Sequence, residues 1–323
     1  MKRRALTALA CLPFFGAAQA GGITPRILAG IHANQDGACT SVLTVGACEA
    51  DLANVESQTG HPFAIVSEYC HFTECQQPGA MQFAIDAINA GKVAMVTWYL
   101  SDPGHCQLAT DFPKHVYDAE LLASVNQFAL VPAPFIIRPD PAMDSPQRRC
   151  YYDTDDIAQQ GVEFVAMWVY IHDFFRDHGV TNARFNWAAS LRVFVDKYGN
   201  PITTWTNFYP GPEYVDWVGT MIYNPTETPE SIQTDPRFLA WYNQVVTLGK
   251  PLMFSETGAF AGKAGDRWLY SMASKLQSFP ALQALVYFHV NGLHGDFRLD
   301  TESDMVAMGN MQQRRYFSRF DIP

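Results

Sequence analysis

The chain has 323 residues, of which 48% are hydrophobic and 17% are charged, so it can bury a large core and is not disordered. Its formal net charge of −10 argues against nucleic acid or an anionic membrane as a partner. Aromatic residues make up 13%, which fits either a large aromatic core or a cleft with flat apolar platforms that suit sugar rings.

The N-terminal residues are typical of a bacterial secretory signal peptide. Three basic residues, Lys2 to Arg4, precede a mostly apolar run that is too short to span a bilayer, and Ala18-Gln19-Ala20 is a small-x-small cleavage motif. We therefore predict a signal peptide over residues 1–20, cleaved after Ala20, and a secreted or periplasmic protein. No linker-like tract divides residues 21–323, so we expect them to form a single domain, a monomer without a later membrane span.

Six cysteines remain after the leader, and an even count in an exported protein predicts disulfides. The short separations favour Cys39–Cys48 and Cys70–Cys75. The segment "CHFTEC" (70–75) also contains His71 and Glu74 and can be interpreted as a metal site, but a disulfide is the better reading in an exported protein. We expect no metal and no other cofactor.

From residue 26 onward, short apolar runs alternate with helical patterns. Strands are predicted over 27–32, 63–69, 92–100, 133–138, 183–190, 213–224, 250–258 and 281–290, and helices over 80–91, 118–130, 153–179, 235–249, 266–278 and 302–317. The region 191–212 is predicted to be a long loop. Eight strands alternating with helices predict a parallel sheet closed into a (β/α)₈ TIM barrel.

The carboxyl ends of barrel strands are where such proteins place their chemistry. The seventh predicted strand ends in "FSETG", and Glu256 sits two residues before Gly258. A carboxylate at this edge fits a nucleophile or a base, and it equally fits a structural carboxylate.

Several segments, in chain order, resemble glycoside hydrolase family 26, the mannanase-type retaining (β/α)₈ glycosidases. "GKPLMFSETG" resembles the nucleophile strand of that family, which implies that Glu256 is the nucleophile. The resemblance extends to "GKVAMVTWYLSDPG" (91–104), "PFIIRP" (134–139), "GVTNARFNWAAS" (179–190), "FYPGPEYVDWVGTMIYN" (208–224) and "LVYFHVNG" with "GDFRLD" (285–300). It covers roughly residues 60–320 and implies a polysaccharide as substrate.

The sequence departs from the family where the family carries its general acid/base. On the fourth strand the family pattern is Arg-Pro, any residue, then His-Glu-Met, and this chain has Pro141 and Ala142 in place of the His and the Glu. Tyr99 replaces a third-strand His. An alanine cannot donate a proton, and the loss of a general acid typically costs roughly 10²–10⁴ in rate. Asp140 and Asp144 flank the gap, and either one is a possible replacement or simply a loop residue.

Other side chains at strand ends complete the predicted site. The resemblance implies that Arg138 orients the active-site carboxylates, and Tyr223 lies at a matching tyrosine. Trp98, Tyr99, Trp187, Tyr223 and Tyr287 could bind sugars, whereas the alternative is that such aromatics pack in the core. Glu68 is a further displaced acid candidate, or a charge partner of Arg138.

Two functions follow from these residues. The first is an exported glycoside hydrolase acting on a β-linked polysaccharide of the mannan, xylan or glucan class, with Glu256 as the nucleophile and a relocated acid. The second is a catalytically inactive carbohydrate-binding protein on the same barrel.

Overall fold

Eight parallel strands form a closed barrel in the computed structural model, which describes residues 27–34, 38–39, 41–102, 105–145, 151–224, 231–261, 265–292, 295–314 and 317–318. The predicted signal peptide lies outside these residues. The strands are β1 Ile27–Asn34, β2 Ile65–Cys70, β3 Val93–Trp98, β4 Phe135–Pro139, β5 Ala183–Ala189, β6 Trp217–Asn224, β7 Leu252–Ala259 and β8 Leu282–Gly292. Each strand pairs with its sequence neighbour, and β8 pairs with β1 from Leu28↔Ala284 to Asn34↔Val290. The (β/α)₈ fold prediction is therefore confirmed.

Seven α-helices flank the barrel in the described part of the chain. They are α1 Val45–Thr59, α2 Gln82–Asn89, α3 Asp118–Phe128, α4 Ile157–Asp177, α5 Pro236–Val245, α6 Gly265–Lys275 and α7 Glu302–Gln312. The sequence patterns indicated all of them except α1. Its buried residues are Cys48, Asp51, Val55 and Thr59, so the helix lacks the stripe of large apolar side chains that makes a helix visible in sequence.

The predicted long loop after β5 is confirmed. No α-helix separates β5 from β6, and the described connection contains only the short 3₁₀ turns Thr204–Asn207 and Pro212–Tyr214. Two disulfides are present, Cys39–Cys48 and Cys70–Cys75, as predicted from their spacing. None of the helices in the described part of the chain combines the length and the apolar character that a bilayer crossing requires.

The barrel interior is filled by an apolar layer with a polar layer above it. The apolar layer contains Leu28, Ala64, Ile65, Val93, Met95, Ile136, Trp217, Met253, Ala284 and Val286. Higher up, the Asn186 side chain donates to Ser255 Oγ at 2.8 Å. Gly219 leaves room for this pair, since a Cβ there would lie 2.0 Å from Ser255 Oγ and 2.5 Å from Asn186 Oδ1. The polar layer forms the floor of the carboxyl-terminal mouth of the barrel.

Candidate active site

A β-bulge directs Glu256 into the mouth of the barrel. The pairing of β7 with β6 passes from Thr220↔Phe254 directly to Met221↔Glu256, so β7 carries one extra residue, Ser255, at this point. The pairing with β8 shifts at the same place. A bulge changes the alternation of side chains and re-aims those that follow it. As a result, two consecutive side chains of β7 point into the barrel. Ser255 accepts a hydrogen bond from Asn186, and Glu256 contacts Arg138 and two tyrosines.

Arg138 forms the centre of the charged cluster. It lies on β4 with no exposed area, and its guanidinium forms a buried ion pair with Glu256. Its Nε and Nη2 also donate to Thr97 Oγ1, at 3.0 and 2.7 Å. The two bonds to Thr97 fix the plane of the guanidinium, so the cation faces the Glu256 carboxylate in one orientation.

Two tyrosine hydroxyls complete the environment of the Glu256 carboxylate. Tyr69 on β2 donates to Oε1 at 2.6 Å, and Tyr223 on β6 donates to Oε2 at 2.6 Å. Burial raises the pKa of Glu256, but Arg138 and the two hydroxyls together bring that pKa below its ordinary value. Burial and the nearby carboxylate raise the pKa of both tyrosines. At neutral pH the site therefore holds an ionised Glu256 between protonated donors.

Aromatic side chains surround this carboxylate at the surface. Tyr99 stacks on Tyr69 at 5.6 Å and on His71 at 5.2 Å between ring centroids, and Tyr223 packs against Phe297 at 4.9 Å. Tyr69, His71, Tyr99 and Tyr223 are each partly exposed. Flat rings beside an ionised carboxylate can stack on the apolar faces of a sugar while the carboxylate faces its polar atoms.

Three of the predicted sugar-binding aromatics are instead core residues. Trp98, Trp187 and Tyr287 have no exposed area. Each follows an interior-facing residue of its strand and so points outward under the helices; Trp98 packs on Phe128 and Phe175 at 5.4 and 5.8 Å. The prediction that these three bind sugar was wrong, because the strand-end position was considered without the alternation of faces.

Asp144 is not available as a replacement acid. Its Oδ1 accepts from the Ser190 amide at 2.9 Å, and its Oδ2 accepts from the Ser190 hydroxyl at 2.7 Å and the Val193 amide at 3.1 Å. The carboxylate is thus an acceptor that fixes the start of the long loop after β5, and this interpretation replaces the catalytic one.

Asp140 and Ala142 adopt left-handed backbone conformations, with φ of 41° and 58°. The chain turns sharply here, since the Asp140 amide donates to the Trp98 carbonyl at 2.8 Å and the Ala142 amide to the Ala188 carbonyl at 2.9 Å. Asp140 is only 1% exposed, whereas Ala142 is half-buried. Position 142 therefore presents only a methyl group after this turn, and the acid role of Asp140 stays a prediction.

Glu68 does not join Arg138, as one reading of the sequence expected. Its carboxylate lies 3.4 Å from His32 Nδ1, and the same ring nitrogen donates to the Ser67 carbonyl at 2.8 Å. His32 and Tyr69 were not among the site residues predicted from the sequence. A polar residue near the end of the otherwise apolar run "ILAGIHAN" was the available signal for His32.

Known structures share this fold across almost the whole chain, although no family model and no curated protein sequence matches it. A GH26 β-mannanase from Bacteroides ovatus is 14% identical and superposes with a TM-score of 0.66 over 91% of this chain and 90% of its own. The GH26 endo-β-1,4-mannanase catalytic domain from Bacillus sp. JAMB-750 is 16% identical and superposes with a TM-score of 0.65 over 91% of this chain and 87% of its own. A modular endo-β-1,4-mannanase from Cellulomonas fimi is 16% identical and superposes with a TM-score of 0.66 over 91% of this chain and 72% of its own. These likenesses show a common barrel.

Proposed function

We propose that this protein is an exported glycoside hydrolase that acts on a β-linked polysaccharide, with Glu256 as the nucleophile of a retaining mechanism. One observation carries the proposal. Glu256 is a buried carboxylate at the carboxyl end of a barrel strand, kept ionised by Arg138 and by hydrogen bonds to both of its oxygens. The structural neighbours named as mannanases support the class of substrate.

The chemistry assigned to Glu256 requires an ionised carboxylate in a fixed position. In a retaining glycosidase this group attacks the anomeric carbon and forms a glycosyl ester, which water then hydrolyses. Tyr69, Tyr223 and Arg138 hold the carboxylate, so little orientation is left to be lost when the sugar binds. Arg138 and the tyrosines also stabilise the carboxylate when it departs in the second step.

The aromatic cleft supports a carbohydrate as the ligand. Tyr99 and His71 extend the ring surface on one side of Glu256, and Phe297 supports Tyr223 on the other. A polysaccharide fits such a site because its successive sugar rings can each stack on one of the aromatic side chains of the cleft. The two disulfides agree with the export that the N-terminal sequence predicts.

A specific observation also favours the second candidate function, a carbohydrate-binding protein without turnover. Position 142 carries a methyl group, and Asp144 is fully engaged in holding a loop. If no other residue supplies the proton, cleavage of an unactivated glycosidic bond would be slower by roughly 10²–10⁴.

Hydrolysis and binding measured on the same panel of glycans separate the two functions. Mannan, xylan and β-glucan are incubated with the wild type and with Glu256→Gln, and released reducing ends are quantified. The hydrolase proposal expects product from one of them with the wild type and none with the variant, while both proteins retain binding to that glycan. Equal binding by both proteins with no product from either would establish the binding protein instead.

A further inference from the structure

The carboxyl ends of β1 and β2 part from each other just above the apolar layer, and His32 occupies the gap. The two strands pair only at Gly30↔Ile65 and Ile31↔Val66. Beyond these pairs, the Ser67 carbonyl accepts from His32 Nδ1 at 2.8 Å. A side chain thus bridges the two strands beside the site, where a backbone ladder would otherwise continue.

His32 faces the interior of the barrel and lies in the cluster around Glu256. Leu28 belongs to the interior layer, and a Cβ on Gly30 would contact Ile65 and Val286 of that layer, so alternation points His32 inward. Its ring is 4.7 Å from that of Tyr69 and 5.5 Å from that of Phe288, centroid to centroid. The hydroxyl of the same Tyr69 donates to Glu256 at 2.6 Å.

Glu68 lies behind His32 as a buried carboxylate. It is 2% exposed, and its Oε1 is 3.4 Å from Nδ1, whereas Oε2 accepts no hydrogen bond from the described part of the chain. The sulfurs of Cys39 and Cys48 also lie close to this carboxylate, but they are joined to each other and offer no thiolate. Burial raises the pKa of Glu68 above its ordinary value, and His32 is the neighbour that opposes this shift most.

Given the proposed function, we propose that His32, held by Glu68, is the general acid and base that replaces the missing carboxylic acid at position 142. Nδ1 is engaged with Ser67 and Glu68, which leaves Nε2 to exchange the proton. The Glu68 carboxylate beside Nδ1 orients the imidazole and stabilises its charged form, and the smaller effect of the Glu256 charge acts in the same direction.

The two steps balance with these residues alone. Glu256 attacks the anomeric carbon, the glycosidic C–O bond breaks, and the departing oxygen takes the Nε2 proton, which leaves a neutral imidazole. The imidazole then removes a proton from water as the water oxygen bonds to the anomeric carbon. Glu256 leaves as a carboxylate, and His32 is again an imidazolium.

The charged surroundings favour a protonated His32. Burial opposes its charge, but the adjacent Glu68 raises the pKa of His32 above its ordinary value. Glu256 contributes from β7, and Tyr69 on β2 stays a neutral donor. Burial and then Arg298 lower the pKa of His289 on β8 to about 4, so that ring is uncharged at neutral pH. Asp51 of α1 adds negative charge on the side of Glu68.

The test compares His32→Gln with wild type on two β-glycosides that differ in the need for an acid. Gln retains a side-chain donor for the Ser67 carbonyl but cannot supply a proton. With a phenyl leaving group, which needs protonation, we expect the variant to lose roughly 10²–10⁴ in kcat/KM. A 2,4-dinitrophenyl group leaves without an acid, so the initial burst of dinitrophenolate should persist in the variant. Steady-state turnover should fall, because attack by water on the glycosyl-enzyme needs a base. Azide needs no base and should restore turnover, with a glycosyl azide as the product. His178→Ala is the matched control, since His178 is exposed at the end of α4.

The pH profile adds a signature that a purely structural role would not change. His32 must be protonated for the first step, so activity falls as pH rises through its pKa. Glu68→Gln removes the carboxylate that raises this pKa, and the high-pH limb should move to lower pH. Equal losses with both leaving groups, or unchanged phenyl glycoside turnover in His32→Gln, would overturn the assignment of His32. If wild-type Glu256 is not labelled by any activated fluorosugar, the proposed function itself fails, and the assignment of His32 fails with it.

Discussion

Replacing Arg138 by Met tests whether the buried ion pair with Glu256 is the electrostatic centre of the site. The side chains are 0% and 12% exposed, so water cannot solvate a charge that is left alone. Removing one partner of such a pair costs about 3–5 kcal/mol of unfolding free energy. Since a protein is stable by about 5–15 kcal/mol in total, Arg138→Met should fold with a much lower urea midpoint.

The double variant Arg138→Met with Glu256→Gln isolates the interaction of the pair. Each single variant leaves a buried charge without its partner, whereas the double variant leaves none. The loss in the double variant should therefore be smaller than the sum of the two single losses by at least about 2 kcal/mol. Urea unfolding followed by tryptophan fluorescence and circular dichroism measures all four proteins.

The exposed pair Lys114–Asp111 supplies the control, since its side chains are 60% and 24% exposed and Lys114→Met should change stability far less. A pH series adds a check with a defined sign. The folded-state pKa of Glu256 lies below its ordinary value of 4.5, so its contribution is present above 4.5 and is lost as pH falls through the folded value. Additive losses in the cycle, with the same acid dependence in wild type and Glu256→Gln, would refute this account of the site.

Three further outcomes are expected. Tyr223→Phe removes the donor to Glu256 Oε2, which should lower kcat/KM for an activated glycoside by roughly 10-fold and move the low-pH limb of its pH profile upward, because the Glu256 carboxylate then protonates more easily. An unmoved limb would contradict this. Ala142→Glu should not raise phenyl glycoside turnover if His32 is the acid; a gain of about 10²-fold would indicate that wild type lacks one. Thiol titration of the denatured, unreduced protein produced without residues 1–20 should find at most two free groups, since four of the remaining six cysteines are paired, and more than two would contradict the disulfides.

The fold could be predicted because each barrel strand is buried on both faces and appears as a short apolar run between helical patterns. The first helix could not, since α1 buries Cys48, Asp51 and Thr59 rather than a stripe of aliphatic residues. The long loop after β5 could be predicted because its residues follow neither the two-residue alternation of a strand nor the 3.6-residue spacing of a helix.

The site was predictable in its centre and not at its edges. Glu256, Arg138 and Tyr223 stand where the strand-end argument places them, and the structure brings the three together. The bulge at Ser255 that re-aims Glu256 has no clear sequence signature. Trp98 points outward because side chains alternate along β3, and its position at the strand end does not by itself give the face to which it points.

The left-handed residues Asp140 and Ala142 explain why the acid could not be located from spacing alone. A left-handed residue redirects the following side chains, so the distance of a carboxylate from the strand end along the chain does not give its distance from Glu256 in space. His32 was missed for a different reason: its partners Ser67 and Glu68 belong to another strand and lie 35 and 36 positions away.

The most direct test of the central claim is covalent labelling of Glu256. Wild-type protein is incubated with 2,4-dinitrophenyl 2-deoxy-2-fluoro-β-glycosides of manno, gluco and xylo configuration, and the product is examined by intact mass and by peptide mapping. Because the leaving group needs no acid, the result does not depend on the identity of the proton donor. The account predicts one added fluorosugar with one configuration, carried by the peptide that contains "FSETG", and no adduct in Glu256→Gln. No adduct with any of the three, or an adduct on another residue, would contradict it.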